Sequence, residues 1–267
     1  MISTWRRFAS ARVRSELQYP LPFLLSLCAQ IMSNGIELVA IWAVFSSTHR
    51  IGGWTPAQVM WLYAVTTTAF GAANMFVSPI EDLPEHIRTG RFDSYLLRPT
   101  PLLTTVLADG FEVRRAGRMV PGLVCVAFMP LRPDWFGITG SIGDLAATLA
   151  VIAMGACIYG GLFLLTNTIA FWLIDSREVA NAFTYGGLAA ARYPIDILPT
   201  WIRRLFIWVM PIGFVAWLPG TRLLDVPGAM GLPTWIGVLS PIAALTTALA
   251  AGLVWRLGVR RYESTGS

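Results

Sequence analysis

Three polar residues recur at helical spacing inside a stretch that is otherwise apolar. Gln30, Asn34 and Glu37 follow one another at intervals of four and three residues, and Glu37 is the only acidic or basic residue in residues 21–46. This spacing places the three side chains on one face of a helix. A carboxylate in a membrane-spanning helix indicates either the lining of a path for a solute or a contact between helices, in which Glu37 is protonated or paired. Both interpretations stay open at this point.

A second group of residues that could do chemistry forms a basic block at residues 81–118. It contains six arginines, and its core is the run IRTGRFDSYLLRP at residues 87–99. In a chain that is otherwise apolar, this block is where a partner from the aqueous side could bind. It therefore predicts an interface.

The first part of the block has the signals of a short helix at residues 83–90. Asp82 is suited to cap the start, Pro84 fits the first turn, and Gly90 fits the left-handed closing position. An acidic residue lies in the first turn and an arginine in the last, which complements the helix dipole. The pattern predicts a compact helix with defined ends.

Apolar residues give this region two hydrophobic clusters. Leu83 and Ile87, four residues apart, share one helix face. A second cluster lies around Asp93, which we expect to cap the next turn, and it consists of Phe92, Tyr95, Leu96 and Leu97. Such a helix either lies among lipid headgroups with its arginines on anionic lipid or docks as a rigid knob in a groove of a partner.

The composition shows which elements must position these residues. Hydrophobic residues make up 55% of the 267, only 13% are charged, and the mean hydropathy is +0.60. An average soluble domain is about a quarter charged, so the chain is an integral membrane protein. All twenty basic residues are arginine, which excludes the Gly-Lys of a phosphate-binding P-loop. The three cysteines have no ligand spacing, and we expect no metal and no cofactor in this chain.

The apolar stretches predict an all-α protein with six transmembrane helices in a single membrane domain, residues 1–267. Each span needs about 20 mostly apolar residues. We expect spans at about residues 21–46, 57–79, 116–136, 145–174, 179–192 and 234–255. Prolines at 194, 199, 211 and 219 interrupt the chain after the fifth span, so residues 193–218 are predicted to be external broken helices of re-entrant or interfacial type.

The distribution of arginines predicts the orientation. With the amino terminus inside, fourteen arginines lie in cytoplasmic segments and six lie outside. The positive-inside rule then places both termini in the cytoplasm. The charged region at residues 81–115 is cytoplasmic in this topology.

The run at residues 81–99, Glu-Asp-Leu-Pro-Glu-x-Ile-Arg-x-Gly-x-Phe-Asp-x-x-Leu-Leu-Arg-Pro, resembles the loop between the second and third spans of ATP-binding cassette (ABC) permeases of the type-two export class. The similarity is greatest to the bacterial branch with six spans and no ATPase domain. Residues 193–204, Tyr-Pro-Ile-Asp-Ile-Leu-Pro-x-Trp-Ile-Arg-Arg, are similar to the last external loop of that class.

The resemblance implies that residues 83–90, supported by residues 92–98, are a coupling helix that sits in a cleft of an ATPase subunit. The residues that it assigns to this contact are Leu83, Pro84, Glu85, Ile87, Arg88, Gly90, Phe92, Asp93, Leu97 and Arg98. Residues 5–17 would form an interfacial helix. Because the resemblance places the first span at the seam between two permeases, it favours a path-lining role for Gln30, Asn34 and Glu37.

The resemblance also implies the partners and the place of the chain. Two ATPase subunits would hold the ATP and Mg, and a second permease, identical or related, would complete the path in a bacterial plasma membrane, the cell inner membrane. Membrane lipid is expected as a contact, and nucleic acid is not. One carboxylate in a mostly apolar path fits an amphipathic or cationic solute, among the lipids, glycans, drugs and peptides that this class exports.

Two other functions are compatible with an apolar chain. A secondary transporter shares intramembrane charge and broken helices, but it should show an internal repeat, and the two halves show none. An intramembrane lipid-modifying enzyme would need convergent catalytic groups. The two histidines, His49 and His86, fall on opposite sides of the membrane in the predicted topology.

Overall fold

The computed structural model describes residues 2–47, 50, 52–136, 138–173, 176–226 and 231–263, and these contain helices and no strand. His49 lies outside the described residues. The α-helices, numbered in chain order, are α1 Ile2–Leu17, α2 Pro20–Ser47, α3 Pro56–Val77, α4 Leu83–Arg88, α5 Arg91–Leu96, α6 Leu102–Asp109, α7 Val120–Phe128, α8 Pro133–Phe136, α9 Ile142–Thr168, α10 Arg177–Ala191, α11 Thr200–Arg204, α12 Trp217–Leu223 and α13 Ser240–Arg261.

Three helices in the described part of the chain are long and apolar enough to cross a membrane. They cover Pro20–Val44, Ile142–Phe171 and Thr234–Arg261, which correspond to the first, fourth and sixth predicted spans. A fourth is possible if Thr200–Val209 and Ile212–Leu223, bent by 76°, form one broken span. The protein is therefore a multi-pass membrane protein with three clear apolar spans and up to four.

The other predicted spans have a different form. α3 is a helix of 22 residues, but it carries the polar run Thr66, Thr67 and Thr68, which is buried rather than turned to lipid. Residues 116–136 are divided among a 3₁₀ turn, α7, a second 3₁₀ turn and α8, because prolines interrupt the helix. α10 has 15 residues, about 22 Å at 1.5 Å per residue, and is shorter than a bilayer core.

α3 forms the centre of the packed core. Phe70 packs its ring on Tyr159 of α9 and on Tyr185 of α10, with centroid distances of 5.2 and 5.3 Å. On another side, a Cβ added to Gly122 of α7 would lie 2.7 Å from the backbone oxygen of Ala64, so only glycine allows this close approach. Small residues thus let the helices meet closely, as is common in lipid.

α2 is peripheral to this core. Only 6% of the residues in its most apolar window are buried, against 56% for the helix that contains α9. Large apolar side chains point outward along its length, among them Leu21, Leu25, Met32, Ile36 and Trp42. α2 therefore offers a long apolar surface to lipid or to another membrane protein.

The segment after α10 is broken, as the prolines predict. It contains short turns at Ile195–Ile197 and Ile212–Phe214, the helices α11 and α12, and a π-helical turn between them. Asp196 ties this segment together, since one of its carboxylate oxygens accepts hydrogen bonds from the indoles of Trp54 at 2.8 Å and Trp217 at 2.9 Å. Trp54 lies just before α3, so the loop after α2 and the broken segment are joined.

Candidate functional site: the charged block and the cavity beside α2

α4 has one buried face and one exposed face. Leu83, Pro84 and Ile87 are buried, whereas Glu85 and Arg88 are exposed and form an ion pair at 2.8 Å. Gly90 closes the helix with a φ of 71°, the left-handed conformation that the sequence predicts. The apolar face that we expected to be available to lipid or a partner is thus used within the chain.

Neither of the two predicted capping residues, Asp82 and Asp93, caps a helix. Asp82 makes no side-chain cap to α4, and its carboxylate lies 3.4 Å from Arg177 at the start of α10. A 3₁₀ turn, Ser78–Asp82, precedes α4 and gives Asp82 a ψ of 0°, away from the extended backbone that a cap needs. Asp93 lies inside α5 and accepts a hydrogen bond from Tyr262 at 2.8 Å. Both capping predictions are wrong, and both carboxylates tie the block to another helix.

α5 attaches the block to the end of α13. Phe92 is fully buried and packs against Phe171, with ring centroids 5.3 Å apart, and against Tyr262, at 4.7 Å. Beyond the helix the side chains turn outward, and Leu97 is 86% exposed. Arg98 is exposed as well and lies over the ring of Tyr95.

The predicted coupling residues therefore divide into two sets. The inward set is Leu83, Pro84, Ile87 and Phe92, the outward set is Glu85, Arg88, Leu97 and Arg98, and Gly90 and Asp93 are partly exposed. Of these residues, the outward set offers the most exposed surface to a docked protein.

Asp109 is the centre of a hydrogen-bond network that the sequence did not reveal. Its carboxylate accepts from Arg12 of α1 at 3.0 Å, from Arg91 at 2.8 Å and from the hydroxyl of Tyr95 at 2.8 Å. Burial opposes ionisation, but the hydrogen bond from Tyr95 and the two guanidiniums outweigh it and hold the pKa of Asp109 below its usual value. Burial and this carboxylate raise the pKa of Tyr95 to about 12.

A second network joins the block to α1 and to the end of α3. Glu16 accepts from the backbone N–H groups of Val113 and Arg114, at 3.0 and 3.3 Å. Arg115 donates to Glu112 at 2.8 Å and lies 3.6 Å from Glu81. Burial raises the pKa of Glu81 despite that arginine, whereas for Glu112 the hydrogen bonds and charges of its arginines outweigh burial and lower the pKa.

A cavity of about 410 Å³ lies beside α2 and brings together all three polar residues of the first span. Its walls come from α2, α3, α10 and the turn before α7. The lining residues are Ser26, Ala29, Gln30, Ser33, Asn34, Glu37, Thr67, Phe70, Arg118, Tyr185, Leu188 and Arg192.

Glu37 is ion-paired with Arg192, a residue at the end of α10 that is only 6% exposed. Arg192 also donates to the side-chain oxygen of Asn34 at 2.9 Å and to Thr67 at 3.2 Å. Its guanidinium lies 5.3 Å from the centre of the Tyr63 ring. Of the two states expected for a structural Glu37, protonated or paired, the structure has the paired one.

At the other end of the cavity, the polar groups have fewer hydrogen-bond partners. The amide nitrogen of Gln30 donates to the carbonyl of Arg114 at 2.9 Å, whereas its buried amide oxygen has no hydrogen-bond partner among the described residues. Arg118 lies beside it, 3.4 Å from the hydroxyl of Tyr185. Arg118 and Arg192 were not predicted as site residues. The only sequence signal for them is that each arginine borders an apolar run, in a chain whose first span contains a carboxylate.

The described residues contain no group of three or more His, Cys, Asp or Glu side chains that could hold a metal ion. A protein-family model described as "ABC-2 family transporter protein" matches residues 31–266. No curated protein is significantly similar to the chain. The family match includes the whole charged block and every residue of the cavity except Ser26, Ala29 and Gln30.

Proposed function

The chain belongs to the ABC-2 family of transporter proteins, and from this we propose that it is the permease subunit of an ABC exporter driven by separate ATPase subunits. Family membership makes it a membrane subunit for transport rather than an enzyme. Such permeases generally work with an ABC ATPase. The lack of lysine, and so of a P-loop, supports ATP hydrolysis on another subunit.

The proposed complex contains two permeases, identical or related, and two ATPases with their ATP and Mg. Each permease has six spans and both termini in the cytoplasm of a bacterial cell, with α3, residues 116–136 and α10 as the spans that are less apolar or shorter. The arginine distribution supports this orientation. The apolar outer surface of α2 supports a second permease at that side.

One observation carries the coupling role: the charged block has a free outer face and an inner face fastened to three other helices. Asp109 joins it to α1, Asp82 to α10, and Asp93 with Phe92 to the end of α13. A push on the outer face would therefore be transmitted to α10, which lines the cavity, and to α1 and α13. We infer that the outward set receives the ATPase and the inward set transmits its movement.

The test is to purify the chain with its ATPase from native membranes and to measure ATP hydrolysis and vanadate sensitivity after reconstitution. We expect the double variant L97D/R98E to lower ATPase stimulation about tenfold, because it places acidic charge on the docking face. The control is Arg256→Glu, an exposed arginine of α13 outside the block. Full stimulation in the double variant would show that the ATPase docks elsewhere.

A further inference from the structure

The lining of the cavity beside α2 contains two guanidiniums and one carboxylate. Glu37 and Arg192 form an ion pair, which leaves Arg118 as the second guanidinium of a lining that has one carboxylate. Among the described residues Arg118 contacts the ring and hydroxyl of Tyr185 and forms no ion pair, although it lies near enough to Glu81, outside the lining, to oppose the rise in the pKa of that carboxyl. The lining therefore has a net positive charge, whereas a path with a single free carboxylate would have a net negative charge.

Gln30 adds an unused acceptor at the same end. Its amide orientation is set by the bond from its nitrogen to the carbonyl of Arg114. The amide oxygen is then left with no partner in the described part of the chain. A buried acceptor without a donor is costly, so this position favours a ligand that brings a hydroxyl or ammonium group.

The turn that carries Arg118 packs directly against α2 at Gln30. A Cβ added to Gly117, the residue before Arg118, would lie 3.3 Å from the Cβ of Gln30 and 3.0 Å from the backbone oxygen of Leu27. The turn and α2 thus pack in direct contact. One headgroup with an acid and a neighbouring donor could meet both side chains.

We propose that this cavity binds a phosphate-bearing, anionic amphiphile whose headgroup also has a hydroxyl or ammonium donor. The phosphate pairs with Arg118, and the donor bonds to the amide oxygen of Gln30. This deepens the proposed function, on which it rests, by giving the substrate class for the path.

The surroundings of the cavity favour an amphiphile over a free anion. Phe70, Leu188 and Ala29 give the wall an apolar part. The volume, about 410 Å³, fits a headgroup rather than a whole lipid. Acyl chains would lie on the exposed apolar surface of α2, which bounds the cavity.

The experiment measures lipid binding to the full chain in a neutral detergent by native mass spectrometry. The probes are phosphatidylglycerol, phosphatidylmethanol, which is anionic but lacks the headgroup hydroxyl, phosphatidylcholine, and deacylated phosphatidylglycerol. We expect Arg118→Gln to weaken phosphatidylglycerol binding about tenfold and Arg118→Lys to weaken it less. Arg256→Gln, which removes the same charge from an exposed site, should bind as the unmodified chain does.

Gln30→Leu tests the donor contact. It should remove the preference for phosphatidylglycerol over phosphatidylmethanol and leave the binding of phosphatidylmethanol unchanged. Weaker binding of the deacylated headgroup would support an amphiphile, whereas equal binding would contradict the amphiphile and indicate a soluble anion as the ligand. Unchanged phosphatidylglycerol affinity in Arg118→Gln, or an equal loss in Arg256→Gln, would overturn the proposal. No ATPase is present in this assay, so its outcome is separate from that of the coupling experiment.

Discussion

The charged block and the cavity beside α2 use ionic side chains in contrasting ways. In the block, Asp109 and Glu112 each accept from at least two donors. In the cavity, Glu37 and Arg192 are paired, but Gln30 keeps an acceptor without a partner and Arg118 forms no ion pair among the described residues. The bonds around Asp109 and Glu112 favour one arrangement, although Glu81 Oε1 and His86 Nδ1 in the same block lack a hydrogen-bond partner among the described residues. In the cavity, the unsatisfied oxygen of Gln30 favours the arrival of a ligand. The comparison supports the two proposals, a block that transmits movement and a cavity that binds a ligand.

The largest effect on this comparison is expected when the Glu37–Arg192 ion pair of the cavity is removed. Arg192→Leu leaves Glu37 without its guanidinium in a half-buried site, and we expect a loss of roughly 3 kcal/mol in the free energy of unfolding. The measurement is thermal unfolding of the purified chain in detergent. Adding Glu37→Leu to this variant should recover much of the loss, and no recovery would show that Arg192 stabilises the fold by other contacts.

A smaller loss is expected when the centre of the block is neutralised. Asp109→Asn keeps the shape but weakens the bonds from Arg12, Arg91 and Tyr95, and we expect about 2 kcal/mol. ATPase stimulation should fall with stability, because the block is loosened from α1. Asp134→Asn, an acidic residue outside the block, is the control. Normal stimulation with lowered stability would mean that α1 takes no part in transmission.

The same carboxylate gives a pH dependence with a defined sign. The folded pKa of Asp109 lies below its unfolded value, so its contribution is complete above the unfolded pKa and is lost as the pH falls below about 4. Between about pH 3 and 6, the free energy of unfolding of the unmodified chain should fall more steeply with decreasing pH than that of Asp109→Asn. Parallel curves would indicate that other carboxylates dominate.

Glu37→Gln should sharpen the comparison at a smaller cost in stability than Arg192→Leu. The amide can still accept from Arg192, so assembly should be retained, but it leaves Arg192 as a second unneutralised charge in the cavity. We expect transport, or its pH dependence, to change in reconstituted vesicles. Lost assembly with unchanged specific transport would assign Glu37 to packing alone.

The smallest expected effect concerns His86, inside the block. Burial and Arg91 lower its pKa against the opposing charges of Asp82, Asp109 and Glu85. As the pH falls, His86 therefore takes up a proton at a higher pH in the unfolded chain than in the folded chain. The free energy of unfolding should fall as the pH drops below about 6.5. His86→Gln should flatten the stability curve between about pH 5 and 7, and an unchanged slope would contradict this assignment.

Features encoded by neighbouring residues were predictable. Pro84 and Gly90 mark the ends of α4, and long apolar runs mark α2, α9 and α13. The cap at Asp82 failed because a 3₁₀ turn before α4 changes the backbone there, and the cap at Asp93 failed because α5 already begins at Arg91.

The contacts that make the sites join distant parts of the chain. Arg12 meets Asp109 across 97 residues and Arg192 meets Glu37 across 155. No local pattern fixes such pairs, since they depend on how the helices pack. The sequence therefore predicts that the first span has a polar face, but neither the partner of Glu37 nor the net charge of the cavity.

The carboxylate oxygen of Asp196 that holds two indoles has an experimental consequence. The side-chain N–H protons of Trp54 and Trp217 are both bonded to it, and both residues are buried. Their deuterium exchange should be slow and linked, because one opening event exposes both protons. In a working transporter, the exchange of these two protons would report when the loop after α2 separates from the broken segment. No attached label is needed for this measurement.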